Sequence, residues 1–326
     1  MGEFNMSDSD IFRPNTFKKY IGQDRAKFII SDVLHSAAVR QVPIEHMLFT
    51  SEGPGLGKTT IVRIIADMWR TELIEITASS LETPRDIIMI FKRLNRTFNS
   101  ILFIDEIHNL KSSIGEMLYS PMEDYGGLLN TKIVVGDGRE EIMNILPFTI
   151  IGATAGEEGK LPQPLLDRFL TIKLVSYNND EILQIIRNVS SKVSIDFTEA
   201  ALKEIVLRSH LTPRIANSFV RRMRDYAISR DKKAITDEDA IIVFSKLGID
   251  ELGLDDVARN ILKCLHTTHR KRLGLKSLAT LTRIDIKTLR ELYEPKLMRA
   301  GLMDLLPNGR ALTLKGEEYI EQYIGG

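Results

Sequence analysis

Three glycines, Gly53, Gly55 and Gly57, run into Lys58-Thr59-Thr60, and these six residues together suit one kind of chemistry. Backbone N–H groups of a glycine-rich turn can close on an anion because no Cβ intervenes, a lysine adds a point charge, and a hydroxyl can ligate Mg²⁺. The pattern is a cradle for nucleotide phosphates. It departs from the P-loop spacing in one place, because the first glycine of that pattern falls on Glu52. Asp105-Glu106 forms a second group, with Asp105 able to hold Mg²⁺ through water and Glu106 able to polarise an attacking water. The Thr154 hydroxyl could orient that water, touch a γ-phosphate, or merely satisfy backbone at a strand end. Arg168 follows Pro162 and Pro164. It is either a solvated cation or an arginine finger that a neighbouring subunit receives. Arg214 falls in the first turn of an expected helix, where the macrodipole disfavours a cation, so it calls for a nearby phosphate or carboxylate. Tyr177 could pack on a purine or in a core.

The elements around these residues fit that chemistry. Residues 47–49 read as an apolar strand feeding the glycine loop, and Ile61, Ile64, Ile65 and Met68 follow it at helical spacing. Residues 101–104 form a fully apolar strand, which puts Asp105 and Glu106 at its C-terminal end, where open α/β sheets bind ligands. Further strands are expected at 73–76, 148–153 and 172–175, and helices at 26–40 and 87–98. The fold class is therefore α/β, a parallel sheet covered on both faces. Residues 132–135 and 142–146, around Gly136-Asp137-Gly138, predict a β-hairpin that interrupts the sheet order. Beyond Tyr177 only helices are expected, at 180–190, 198–209, 212–229 and 236–247. Thr212-Pro213 reads as a hydroxyl cap with Pro at N1, and Thr236 with Asp239 as a variant capping box.

From Leu254 the pattern is helix, helix, then a longer helix over 285–300 that Pro295 should kink or break. Strands at 302–306 and 311–314 flank Pro307-Asn308-Gly309-Arg310, and Asn-Gly between apolar runs signals a hairpin. That order is a winged helix. Three domains are expected: an ATPase domain over 11–177, a small helical domain over 178–250 and a winged helix over 251–326.

Composition sets bounds on function. The 326 residues are 43% hydrophobic and 27% charged with zero net charge, so the chain is globular and any nucleic-acid surface must be local. Between Arg259 and Lys315 thirteen Lys or Arg face four carboxylates, and His269-Arg270-Lys271-Arg272 is the densest cluster. A basic winged helix suits DNA phosphates, with Arg310 at the wing tip to enter a minor groove; docking to an acidic protein is the other reading. The single cysteine, Cys264, excludes an internal disulfide and a Cys-cluster zinc site, and fits a reducing cytoplasm. No apolar run approaches membrane-spanning length and no signal peptide is evident, so a cytoplasmic chain without membrane contact is expected.

From about Arg13 onward the sequence resembles the RuvB family of AAA+ motors, which drive branch migration of Holliday junctions. The resemblance rests on Arg13-Pro14, Tyr20-Ile21-Gly22-Gln23, the Gly55–Thr60 loop, LFIDEIH over 102–108, and Leu118-Tyr119. Met122-Glu123-Asp124-Tyr125, PFTIIGAT over 147–154, Asp167-Arg168-Phe169, TPRIAN over 212–217, Arg221-Arg222 with Arg224-Asp225, Glu294-Pro295 and Gly309-Arg310 complete it. It implies a P-loop AAA+ ATPase domain, a helical lid and a winged helix, assembled as a hexameric ring with ATP or ADP and Mg²⁺ between subunits. By the same resemblance Gly55, Gly57, Lys58, Thr59 and Thr60 bind phosphates, with Thr59 and Asp105 at the metal. Asp105 and Glu106 are Walker B, Thr154 is sensor 1, Arg214 is sensor 2, and Arg168 acts in trans. Arg13, Glu123, Asp124, Tyr125 and Tyr177 border the nucleotide, Arg310 contacts four-way junction or duplex DNA, and the 132–146 hairpin grips a RuvA-like partner.

Departures from the family are Glu52 near the phosphates, Leu166 in place of an arginine before Arg168, a wing with few arginines, and a short hairpin carrying Glu140-Glu141. A clamp-loader-like switch and a weakly active adaptor tethered to a partner are the alternative functions.

Overall fold

Near-continuous burial along the three central strands of a five-stranded sheet sets the architecture of the first part of the chain. The computed structural model describes residues 11–94, 96–123, 129–134, 140–268 and 272–325. They divide into two units, residues 1–176 and 177–326. In the first, β1 (Met47–Ser51), β2 (Leu73–Thr77), β3 (Ser100–Asp105), β6 (Phe148–Ala153) and β7 (Leu170–Leu174) pair in the order β2-β3-β6-β1-β7, all parallel. Leu48, Leu102, Ile104 and Ile150 enter one core, while Met47, Phe49, Ile101, Phe103 and Ile151 enter another. Strand side chains alternate between faces, so two filled cores mean that both faces are covered by helices. Those helices are α1 (Asp24–Arg40), α2 (Lys58–Trp69), α3 (Pro84–Leu94) and α4 (Ser112–Glu123). The sequence pattern did not distinguish α4, whose interior contains Gly115 and Pro121.

The interrupting hairpin is present as β4 (Leu129–Val134) and β5 (Glu140–Ile145), antiparallel with Lys132 opposite Ile142. Its expected turn at 136–138 lies outside the described residues. Near the sheet, a buried imidazole ties the strand before the glycine loop to its neighbour. His46 accepts the Ile150 N–H through Nδ1 at 2.8 Å, and the backbone carbonyl of His46 accepts from Leu170 at 2.9 Å.

The second unit opens with a helical bundle: α6 (Asn179–Ser190), α7 (Glu199–Arg208), α8 (Pro213–Ile228) and α9 (Asp237–Lys246), preceded in the first unit by the short α5 (Gln163–Leu166). It is not purely helical, because β8 (Asp196–Phe197) and β9 (Ala234–Ile235) form a two-residue parallel pair. The Thr236 capping box forms as expected, and Asp239 also holds Lys232 at 2.5 Å. Thr212 does not cap α8 with its hydroxyl, which donates instead to His210 O at 3.1 Å, so Pro213 alone sets that start.

The winged helix comprises α10 (Asp256–Thr267), α11 (Leu275–Thr282), α12 (Ile286–Thr288), a π-helical turn (Leu289–Tyr293) and α13 (Glu294–Arg299). A three-stranded sheet of β10 (Arg272–Leu273), β12 (Gly309–Leu312) and β11 (Met303–Leu306) follows, then α14 (Leu314–Gly325), a helix the sequence reading did not include. Pro295 lacks the N–H that a continuous helix requires, and the widened turn immediately before Glu294 accommodates it. The wing turn is Pro307-Asn308, because Leu306 pairs directly with Gly309. The strand therefore begins two residues earlier than the Asn-Gly signal implied.

Burial holds the His46 pKa down at about 4, from an ordinary value of 6.5. The unfolded chain then binds the proton first, so His46 contributes full stability above pH 6.5 and loses it as pH falls toward 4. The loss across that window is roughly 3 kcal/mol. Urea midpoints taken at pH 7 and pH 5 should show a larger acid loss for the native chain than for His46→Asn, which can still accept from Ile150.

Candidate active site

The C-terminal ends of β1, β6 and β3 are neighbours in the sheet, and each carries a piece of the site. After β1 the chain turns through Gly55 (φ +83°) and Gly57 (φ +97°) into α2 at Lys58. Gly57 has no substitute, because a Cβ there would stand 2.2 Å from the Tyr20 hydroxyl. That hydroxyl donates to Leu56 O at 3.3 Å, so Tyr20 roofs the loop. Gln23 secures the same segment: its side-chain amide donates to Val175 O at 2.6 Å and accepts from Val175 N–H at 3.0 Å. The motif Tyr20-Ile21-Gly22-Gln23 thus has a structural purpose that spacing alone did not reveal.

Lys58 is buried, and its Nζ donates to Ser51 Oγ at 2.6 Å while Ser51 donates to Gly53 O at 2.7 Å. Ser51, at the end of β1, was missed by sequence reasoning; only its place two residues before Gly53 hinted at it. Thr59 and Thr60 are half-buried in the first turn of α2. That turn has no acidic residue and no side-chain cap, which leaves its N–H groups available to an anion. Glu52, expected to oppose phosphate, is two-thirds exposed, with its carboxylate 3.3 Å from Lys173 Nζ on β7.

At the end of β3, Asp105 Oδ1 accepts the Glu106 N–H at 3.0 Å. Glu106 sits at φ 51°, a left-handed conformation that costs about 1–2 kcal/mol in a residue with a Cβ. Its carboxylate accepts from Asn109 Nδ2 at 3.2 Å. Strain of this kind concentrates where a side chain must be aimed. Thr154, just past β6, bonds through its N–H to Phe49 O of β1, and its buried hydroxyl lies 2.9 Å from His108 Nδ1. Among the described residues no cluster of three or more His, Cys, Asp or Glu could hold a metal ion by itself. The donors present, one hydroxyl and one or two carboxylates, fit an Mg²⁺ that keeps phosphate and water as its other ligands.

Arg168 is not extended into solvent. Its guanidinium pairs with Glu123, donates to Pro164 O at 2.5 Å and lies 5.1 Å from the centroid of the Tyr119 ring of its own α4. Glu123 is thereby engaged with Arg168, while Asp124 and Tyr125 lie outside the described residues. Arg13 is exposed. In the second unit, Tyr177 is buried at 4% exposure. Arg214, exposed near the start of α8, pairs with no carboxylate among the described residues.

The structure corrects the expected place of Arg310 in the wing. This residue lies on β12 opposite Leu305 rather than at the wing tip, and its guanidinium bonds Glu294 at 2.6 and 3.1 Å. With its side chain 14% exposed, it closes an internal ion pair. Among the described residues of the winged helix, exposed cations whose side chains pair with no carboxylate include Lys263, Arg272, Lys276 and Arg283 in and around α10 and α11, and Lys287 and Arg290 in the next helical segment. Residues 269–271 of the basic cluster lie outside the described residues.

Comparisons agree along the whole chain. Residues 12–175 match the family described as the Holliday junction DNA helicase RuvB P-loop domain, 177–250 the RuvB AAA lid domain, and 251–321 the RuvB C-terminal winged helix domain. The Holliday junction branch migration complex subunit RuvB 1 of Synechococcus sp. (strain JA-3-3Ab) is 37% identical over 312 residues, covering 94% of this chain and 80% of that one. The corresponding RuvB of Crocosphaera subtropica is 37% identical over 321 residues, with 97% and 88% covered. Among solved structures, the Thermotoga maritima RuvB Holliday junction branch migration motor superposes with a TM-score of 0.82 at 32% identity, covering 95% of this chain and 98% of that one.

Gly57→Ala introduces both backbone strain and a clash with Tyr20, and should lower nucleotide affinity about tenfold or more. Adding Tyr20→Phe removes the clashing oxygen but leaves the strain, so a fluorescent-nucleotide titration should show partial recovery in the double variant.

Proposed function

The chain belongs to the RuvB family, and from that premise we propose that it hydrolyses ATP between adjacent subunits of a hexameric ring to drive branch migration of Holliday junctions. The observation that carries this reading is the adjacency of β1, β6 and β3, which sets Lys58, Thr154 and the Asp105-Glu106 pair along one sheet edge. Gly55, Gly57 and the first turn of α2 offer backbone donors to the phosphates, and Lys58 exchanges Ser51 for them. Thr59 and Asp105 hold Mg²⁺, which when bound neutralises charge on the phosphate oxygens. Glu106 leaves Asn109 to take a hydrogen bond from the attacking water. Arg168 exchanges Glu123 for a phosphate of the neighbouring subunit, where its guanidinium stabilises transition-state charge. Arg214 reads the terminal phosphate, Tyr177 packs against the base, and Arg13 with the 123–125 segment borders the nucleotide.

Contact with DNA falls to the exposed cations Lys276, Arg283, Lys287 and Arg290, and Arg310 joins them only by exchanging Glu294 for a DNA phosphate. Each phosphate contact adds about one counterion to the salt dependence of binding. A RuvA-like partner would engage the 132–146 hairpin. The adaptor reading loses its main support, because the Glu52 charge is met by Lys173 rather than aimed unopposed at the cradle.

Glu106→Gln should bind ATP with native affinity and turn it over at least about a hundredfold more slowly. Arg168→Ala should also be inactive, and mixing the two inactive proteins should restore turnover, since mixed rings contain interfaces with one intact Glu106 and one intact Arg168. Branch migration of synthetic four-way junctions should follow the same pattern; native ATPase activity without migration would favour a clamp-loader-like switch. Lys287→Ala combined with Arg290→Ala should weaken junction binding and lower its salt slope by nearly two, whereas Arg310→Ala should act on the melting temperature.

A further inference from the structure

His108 has no part in the chemistry described so far, yet both of its ring nitrogens are engaged in a nearly closed environment. Its Nδ1 lies 2.9 Å from Thr154 Oγ1 and its Nε2 lies 2.6 Å from Glu157 Oε2. The His108 side chain is 7% exposed and that of Glu157 16%. Glu157 is itself held by Lys160, three residues on. The sharp turn that aims His108 follows from Glu106, whose left-handed backbone sends the 107–109 turn back toward β6. One strained residue therefore directs a carboxylate to the site and an imidazole to the strand beside it.

The order of donors and acceptors follows from the two ends of this chain. A carboxylate can only accept, so Nε2 carries a proton and donates it to Glu157. In the neutral ring Nδ1 is then the acceptor, and Thr154 must donate its hydroxyl proton there. With that proton committed, Oγ1 has only lone pairs left. It cannot donate to a γ-phosphate oxygen, which is also an acceptor, but it can accept from water.

We propose that Glu157 and His108 are positioning residues that fix the Thr154 hydroxyl as an acceptor for the attacking water, rather than as a donor to the γ-phosphate. This rests on the reading of Thr154 as a group of the ATPase site. Glu157 lies in the 155–160 loop, between the PFTIIGAT stretch and Asp167-Arg168-Phe169.

The test is steady-state ATPase of the full chain with four-way junction DNA, measuring kcat and KM separately, with melting temperatures as the control for folding. Thr154→Val, His108→Phe and Glu157→Ala should each lower kcat about tenfold, the rate equivalent of one hydrogen bond, and leave the KM for ATP unchanged. Glu157→Gln should stay near native, because its amide oxygen still accepts from Nε2, and Glu157→Met, which keeps the volume but not the acceptor, should be as slow as Glu157→Ala, whereas a role in packing alone would leave the Met variant near native. In the Thr154→Val background, His108→Phe and Glu157→Ala should cost nothing further. A slow Thr154→Val beside fully active, folded Glu157→Ala and His108→Phe overturns the proposal and leaves the ATPase reading intact. A fully active Thr154→Val overturns the proposal together with the assignment of Thr154 to the site, whereas absence of turnover by the native chain overturns the ATPase reading itself.

Discussion

Everything in the first unit depends on one topological constraint: a parallel strand order that makes β6 the neighbour of both β1 and β3. Each strand alone delivers an ordinary side chain to a sheet edge. Together they deliver a lysine at a glycine turn, a hydroxyl and two carboxylates within a few strand spacings of about 4.8 Å. The edge is fixed from several directions. His46 ties the segment before β1 to β6, Thr149 donates to Ile44 O, and Gln23 closes on the end of β7. Two filled cores, one per face, make a register slip costly, because it would exchange the side chains packed into each core and leave both misfitted.

Within that frame, the charged groups of the site are already paired, each with a partner that a ligand could replace. Lys58 rests on Ser51, Glu106 on Asn109 and Arg168 on Glu123. Placeholders of this kind keep buried or half-buried charges satisfied, and under the proposed function a nucleotide or a second subunit would exchange for them. In the second unit the same principle serves rigidity. Arg259, 6% exposed, bonds Gly248 O, Leu254 O, Asp250 and Asp256, and these carboxylates raise its pKa against the effect of burial. Tyr319 of α14 joins the same Asp250. The helical bundle and the winged helix therefore share an ionic knot at their junction, centred on the buried Arg259.

Much of the fold was legible in the sequence because its signals are local. Apolar runs of four to six residues gave the strands, Thr236 with Asp239 gave a helix start, and Pro295 marked the break that the π turn now explains. Less legible were features decided by distant partners. The short, Gly- and Pro-bearing helix 112–123 hides its periodicity, and Asn308-Gly309 signalled a turn whose register depends on Leu306. Arg310 looked like a solvated wing-tip cation because a charged residue beside a turn is usually exposed. Its partner Glu294 lies sixteen residues away, and no spacing rule links them. Gly309 belongs to the same construction, since a Cβ there would meet Leu273 O at 2.6 Å. Two stretches that carried the resemblance, Glu294-Pro295 and Gly309-Arg310, are thus one ion pair seen twice.

The central claim is that a subunit's own edge supplies only part of the catalytic machinery and that a neighbour completes it. Turnover per subunit, followed by ATPase assay across protein concentrations that span assembly and with particle mass recorded at each, tests this directly. The account predicts negligible turnover for single subunits and a cooperative rise that tracks ring formation. A constant rate per subunit from monomer to oligomer would contradict it.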